Sequence, residues 1–246
     1  MANIKTDTLS SDELEIHFKQ FKEPLYSTIA FAAFLNIQGC LLPGKTVLDI
    51  GCGCGAVSNH IARKHPDTRF IGIDDNQYLV ERSKERAQGN APNLELRVGD
   101  WFELPKNLRG TLDGIFNVHT FCIFKEIDRA IDALLALEPR WVAFNSLFTS
   151  GDYDILTHIR DLRYAHVGDD NPDGDFNMFS LSKVRKYLAD RGYGKFLSQR
   201  FEMPVPLPRP SHGGRGTYTM QTEISPRTQF SAEVYLPWHF VLAVKE

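Results

Sequence analysis

The 246-residue sequence is short of most features that suit a chain to a special environment. Its four cysteines, Cys40, Cys52, Cys54 and Cys122, contain no C-x-x-C pair, which argues against a disulfide framework and against a zinc centre. No metal site is expected, and Cys52 and Cys54 read as small loop residues. Long apolar runs are also missing. The greasiest, "IAFAAFL", has seven residues, against the roughly 20 needed to span a bilayer. The first thirty residues mix Lys, Asp and Glu without an apolar signal core, so a cytoplasmic protein without membrane contact is expected. There is no cationic surplus: the formal net charge is −3, which disfavours a nucleic-acid partner. No internal repeat is visible.

What remains is an ordinary globular composition, 42% apolar and 24% charged, over a length suited to one ample core. A single domain over 1–246 is therefore expected. Short β-branched runs alternate with helical patterns, the mark of a parallel sheet covered by helices on both faces. "TVLDI" (46–50), "RFIGID" (69–74), "LELRVGD" (94–100), "LDGIFNV" (112–118) and "WVAFNSLF" (141–148) read as five strands. Ile127, Ile131, Leu134 and Leu135 recur at helical spacing before Pro139. A second clear helix starts after Ser180 as its cap, with Leu181, Val184 and Leu188 on one face and Gly192 past its end. "FLSQRFEM" and "HFVLAV" read as two further strands, and the Pro-, Gly- and Thr-rich interval between them, about 204–237, as an inserted loop and hairpin. The acidic "GDDNPDGD" (168–175) reads as a solvated turn.

The stretch "VLDIGCGCGAVSNHIA" (47–62) carries Gly51, Gly53 and Gly55 between a strand and a helix. Such a loop fits either a dinucleotide or S-adenosylmethionine (SAM), and the acidic residues around it discriminate. Asp49 stands two residues before Gly51, where a pyrophosphate would be repelled but an ammonium or sulfonium tolerated. Asp74 closes the second strand, where a carboxylate accepts from ribose hydroxyls in either fold. Asp100 ends the third strand, placed to accept from an adenine amine beside an aromatic wall, Trp101. Together the three favour SAM.

From about Val47 to Phe148 the chain resembles the class I SAM-dependent methyltransferases. "VLDIGCGCG", "IGIDDN" and "VGDWFELP" look like that family's glycine, ribose and adenine motifs, in the expected order. The resemblance implies SAM as cofactor, with Asp49, Gly51 and Gly53 at the methionine end, Asp74 at the ribose, and Asp100 with Trp101 at the adenine; Gly55 and Asp75 are also counted among the cofactor-binding residues. Asn117, at the end of the fourth strand, joins this cofactor set. One position departs from the family: an apolar residue often follows the ribose acid, and here it is Asp75. A Rossmann-like, seven-stranded, mostly parallel sheet with an antiparallel final strand is also implied. Residues 44–150 would then be the SAM-binding core, 1–43 a helical cover and 151–246 the substrate-side half.

The acceptor is narrowed mainly by exclusion. The D/N-P-P-Y/F motif of enzymes that methylate nucleobase or side-chain amines is absent after the fourth strand, where the chain reads "NVHTFCIF". His119 stands at a strand's carboxyl end, where open α/β sheets bind ligands, and reads either as a general base or as a hydrogen-bonded structural residue. Phe121 follows it. "EPLYSTIAFAAFLNI" (23–37) reads as a buried helix over the SAM site that brings Tyr26 and Phe31 to a pocket, and the insertion offers Tyr218 and Trp238 as flat walls. From Lys183 to Arg215 eight Lys or Arg face two acidic residues, read as a solvated basic face or as a sign of an anionic acceptor. The expected activity is methyl transfer from SAM to O or N of a small molecule. An RNA or protein methyltransferase and a non-catalytic SAM-binding module are the alternatives, and homo-oligomerisation is left open.

Overall fold

A computed structural model describes residues 11–160, 173–211 and 216–246. Residues 168–172 of the acidic segment and 212–215 of the insertion, both singled out above, lie outside the described residues. The first half alternates strands and helices as the pattern of apolar runs dictates. After α1 (Ser11–Lys19) and α2 (Tyr26–Ile37) come β1 (Thr46–Ile50), α3 (Ala56–Ala62), β2 (Arg69–Asp74), α4 (Gln77–Asn90), β3 (Leu94–Val98), β4 (Gly114–Val118), α5 (Ile127–Leu135) and β5 (Trp141–Thr149). β3 stops two residues before the reading "LELRVGD", because Asp100 turns the chain: its Oδ1 accepts from the backbone N–H of Phe102 at 2.6 Å.

In the second half, β6 (His158–Arg160) pairs with β7 (Asp173–Asp175), and β8 (Phe179–Ser180) leads into α6 (Leu181–Ala189). Ser180 caps α6, its Oγ accepting from the Lys183 N–H, as its position before the apolar periodicity requires. β9 (Lys195–Arg200), β10 (Thr217–Met220), β11 (Thr228–Ser231), β12 (Val234–Tyr235) and β13 (Trp238–Val244) complete the chain.

The central sheet runs β3-β2-β1-β4-β5-β13-β9, with the short β8 alongside β5. β1 to β5 are parallel, and β13 is antiparallel to both β5 and β9. The fold is thus the Rossmann-like α/β arrangement with a reversed final strand. Alternate side chains of each strand feed two apolar layers. Val47, Phe70, Phe116, Ala143 and Phe240 pack with α2, α3 and α4 on one face. Leu48, Ile71, Ile115, Phe144 and Val241 pack with α5 and α6 on the other. Burial on both faces explains why β5 is hidden over eight of its nine residues.

The insertion forms a separate sheet, β10-β11-β12, with Tyr218 opposite Phe230. The expected hairpin is present and carries a third short strand. Among the described residues, no helix is long and apolar enough to cross a membrane.

Candidate functional site

The glycine loop leaves β1 at Ile50, and the N–H groups of Gly51 and Cys52 both donate to Ile73 O, at 2.8 and 3.1 Å. The three glycines serve different ends. A Cβ on Gly51 would stand 2.6 Å from Thr120 Oγ1, and one on Gly55, which has φ +74°, would stand 2.7 Å from Leu96 Cδ2. These two permit close packing against β4's loop and against β3. Gly53, at φ +55°, would present a Cβ to no atom within 4 Å, so its bare backbone is the one that faces open space. Its N–H donates to Asp74 Oδ2 at 2.7 Å, which ties the loop to the end of β2.

The four carboxylates occupy unlike environments. Asp49 is 1% exposed, beneath the loop, and accepts a short hydrogen bond from Ser58 Oγ of α3 through Oδ2. Burial lifts its pKa to about 8, with the Asp74 charge adding to the rise. Its Oδ1 is buried without a hydrogen-bond partner among the described residues. Asp74 also accepts from the Asn76 N–H at 3.0 Å; burial raises its pKa, and the two backbone donors and His17 oppose the rise. Asp75 and Asp100 are exposed at the ends of β2 and β3. Partial burial raises the Asp75 pKa, and the nearby Asp100 charge adds to the rise.

These residues fit SAM on their own chemistry. The orphaned Asp49 oxygen suits an ammonium donor, the open face of Gly53 admits close backbone approach, and Asp74 and Asp100 keep acceptor lone pairs for hydroxyl and amine donors. Two members of the expected set are corrected. Trp101 is 7% exposed and belongs to the core: its indole N–H donates to Ala130 O at 3.0 Å, and its ring meets Phe121 and Phe124 edge-on. It is no adenine wall. Asn117 is wholly buried, its amide donating to Ile50 O at 2.6 Å and accepting from the N–H groups of Thr120 and Phe121. It clamps β4's turn to the end of β1 and has no lone pair facing the loop's open side.

Beside the loop lies a cavity of about 590 Å³. Tyr26, His119 and Trp238 come together there, with Phe201, Met203 and Leu207 among the apolar walls and Glu23, Ser27, Thr217 and Gln229 as polar lining. His119 has φ 68°, a backbone region uncommon outside glycine, and several contacts hold it there. Its N–H donates to Asn145 O at 2.8 Å, its carbonyl accepts from Cys122 Sγ at 3.2 Å, and its ring centroid lies 4.4 Å from that of Trp238. Burial brings its pKa down to about 4. Thr120, the next residue, places Oγ1 3.4 Å from Gly51 O. The residue that lines the cavity and the one that packs on the glycine loop are thus neighbours in the chain.

The remaining pocket candidates belong elsewhere. Phe31 is fully buried among Phe34, Phe116 and Phe240, so the inner face of α2 packs on the sheet, and only its first residues reach the cavity. Phe121 is fully buried 4.3 Å from Phe144. Tyr218 is 2% exposed, stacked on Phe230, with its hydroxyl donating to Ala232 O at 2.7 Å; it holds the insertion's own sheet together. Sequence reasoning missed Asn145, Phe201 and Met203. The 201/203 alternation beyond β9 carried a signal, as did Asn145, a polar residue within an otherwise apolar strand.

Against known proteins, a family model described as "Methyltransferase domain" matches residues 47–137. A sterol 24-C-methyltransferase of Gibberella zeae is 29% identical over 194 residues, covering 72% of this chain and 47% of that protein. The chain spans about half the length of the curated relatives it matches over this range. Among solved structures, a chain of the Haloferax volcanii complex of the Trm112 methyltransferase activator with its methyltransferase superposes with a TM-score of 0.61 at 15% identity, covering 94% of each chain. Coclaurine N-methyltransferase bound to N-methylheliamine and S-adenosylhomocysteine superposes with a TM-score of 0.50 at 18% identity, covering 71% of this chain and 51% of that one.

Proposed function

We propose that residues 47–137, which match a methyltransferase-domain model, form a class I SAM-dependent methyltransferase domain, and that the chain transfers the methyl group of SAM to a small molecule seated in the Tyr26–His119–Trp238 cavity. The adjacency of His119 and Thr120 carries this reading. His119 lines the cavity while its neighbour Thr120 packs on Gly51, so a methyl donor on the loop and an acceptor in the cavity meet across one dipeptide. SAM supplies a methyl group on a sulfonium, displaced in line with a neutral leaving group. The protein's part is alignment and exclusion of water, which can account for about 7 to 11 kcal/mol of a barrier.

Gly53, Asp74 and Asp100 would hold the cofactor, with Asp49 beneath the loop as a further acceptor for it. Trp238, Phe201 and Met203 present apolar surface to the acceptor, and Tyr26 and Ser27 close the α2 side. Among the described residues no Lys or Arg lines the cavity and Glu23 does, so an uncharged or amine-bearing acceptor fits it better than an anion. The basic residues between Lys183 and Arg200 are spent partly on surface ion pairs with Asp154, Asp190 and Asp132.

The test is incubation of the purified protein with methyl-labelled SAM and a metabolite extract, followed by size fractionation. Label in the small-molecule fraction is the expected result. Label confined to RNA or protein would transfer the assignment to a macromolecular acceptor. Bound SAM with no label anywhere, across extracts, would leave a binding module in place of an enzyme.

A further inference from the structure

We infer that Asn145 is a positioning residue that fixes the ring proton of His119 on Nδ1, so that His119 meets the acceptor as a hydrogen-bond donor and not as a base. The inference rests on the cavity being the acceptor site. Asn145, buried on β5, holds His119 at two points. Its carbonyl accepts the His119 N–H at 2.8 Å, and its Nδ2 lies 3.3 Å from His119 Nε2. An amide nitrogen can only donate, so Nε2 accepts and the neutral ring carries its proton on Nδ1.

This orientation leaves Oδ1 as the buried atom without a hydrogen-bond partner among the described residues, and under-satisfied carbonyls are less rare than orphaned N–H groups. Nδ1 makes no hydrogen bond among the described residues and is left to the cavity that His119 lines. Burial favours the neutral ring, so the donor state holds across the neutral pH range. An acceptor must then offer the Nδ1–H a lone pair on an atom other than the one methylated and bring its own nucleophilicity, as a molecule carrying a free amine beside a separate hydrogen-bond acceptor does. This narrows the substrate class without any proton being removed by His119.

The test begins with the unmutated protein. Nitrogen-15 NMR of the His119 ring at pH 7.5 is expected to show a neutral imidazole protonated at Nδ1, and a ring protonated at Nε2 overturns the inference whether or not methyl transfer is ever observed. Asn145→Asp replaces the donor by an acceptor, and the ring proton is expected to move to Nε2; an unmoved proton in a folded variant also overturns it. Where an acceptor is in hand, His119→Asn keeps an amide N–H as many bonds from Cβ as Nδ1 and suits the positive φ. It is expected to keep turnover within about tenfold of wild type, and His119→Ala to lose at least a hundredfold. Equal losses in the two variants would show that ring basicity, not donation, is what the reaction uses.

Discussion

The carboxylate of Asp74 accepts the backbone N–H of Gly53 at 2.7 Å, and that single bond joins the tip of the glycine loop to the end of the second strand. The acid holds the loop in shape and, in the proposed reading, keeps lone pairs for ribose hydroxyls.

Asp74→Ala removes both. Charge-assisted hydrogen bonds are worth about 1.5 to 3 kcal/mol each, so SAM affinity measured by titration calorimetry is expected to fall at least tenfold. Asp74→Asn retains an acceptor oxygen and is expected to lose less than Asp74→Ala. Unchanged affinity in the alanine variant would remove Asp74 from the cofactor site.

Gly53 and Gly55 separate binding from folding. Both have positive φ, so either substitution by Ala carries a left-handed cost of about 1 to 2 kcal/mol. Gly55→Ala also drives its Cβ to 2.7 Å from Leu96, whereas Gly53→Ala meets no protein atom within 4 Å. Thermal denaturation is expected to show the larger loss of stability in Gly55→Ala. Calorimetry on folded protein is expected to show the larger loss of SAM affinity in Gly53→Ala.

Asp49 gives a pH signature. Its folded pKa, about 8, lies above the ordinary carboxylate value of 3.8, so the folded state holds a proton that the unfolded state has released between those limits. Its contribution to stability is therefore fully present below pH 4 and is lost as pH rises towards 8, at about 1.4 kcal/mol per pH unit. Asp49→Asn keeps the acceptor for Ser58 and removes the titration. The Tm of the variant relative to wild type is expected to climb as pH goes from 5 to 8, and a constant difference would show that Asp49 does not titrate in this range.

The core strands β1, β2, β4, β5 and β13 were legible from the sequence because each is a short apolar run bounded by turn residues, whereas the two-residue β8 is too short to show a period; the glycine loop with Asp74 and Asp100 was legible because their spacing is fixed by strand ends. The aromatics were not. Phe31, Trp101, Phe121 and Tyr218 have the residue type of a pocket wall, and composition does not show which way a ring points. Phe31 lies on α2 with Tyr26, yet five positions along the helix turn a side chain from the cavity to the sheet. Phe31→Ala tests the difference. As a core truncation it is expected to cost about 3 to 5 kcal/mol in chemical denaturation, with little effect on acceptor KM at temperatures where the variant is folded.

Trp238 supplies the last prediction, because its ring stands 4.4 Å from that of His119 and both line the cavity. If the indole holds the imidazole in place as well as contacting the acceptor, the two residues act as one unit and their effects do not add. Trp238→Phe keeps a ring on β13 and is expected to lower turnover modestly. Trp238→Ala is expected to lower it by at least a hundredfold while SAM affinity stays within a few-fold, since the indole is absent from the glycine loop's contacts. The Trp238→Ala, His119→Ala double variant should then lose little more than either alone. A double variant whose losses multiply would show that Trp238 acts on the acceptor independently of His119, and the orientation of the imidazole would fall to Asn145 alone.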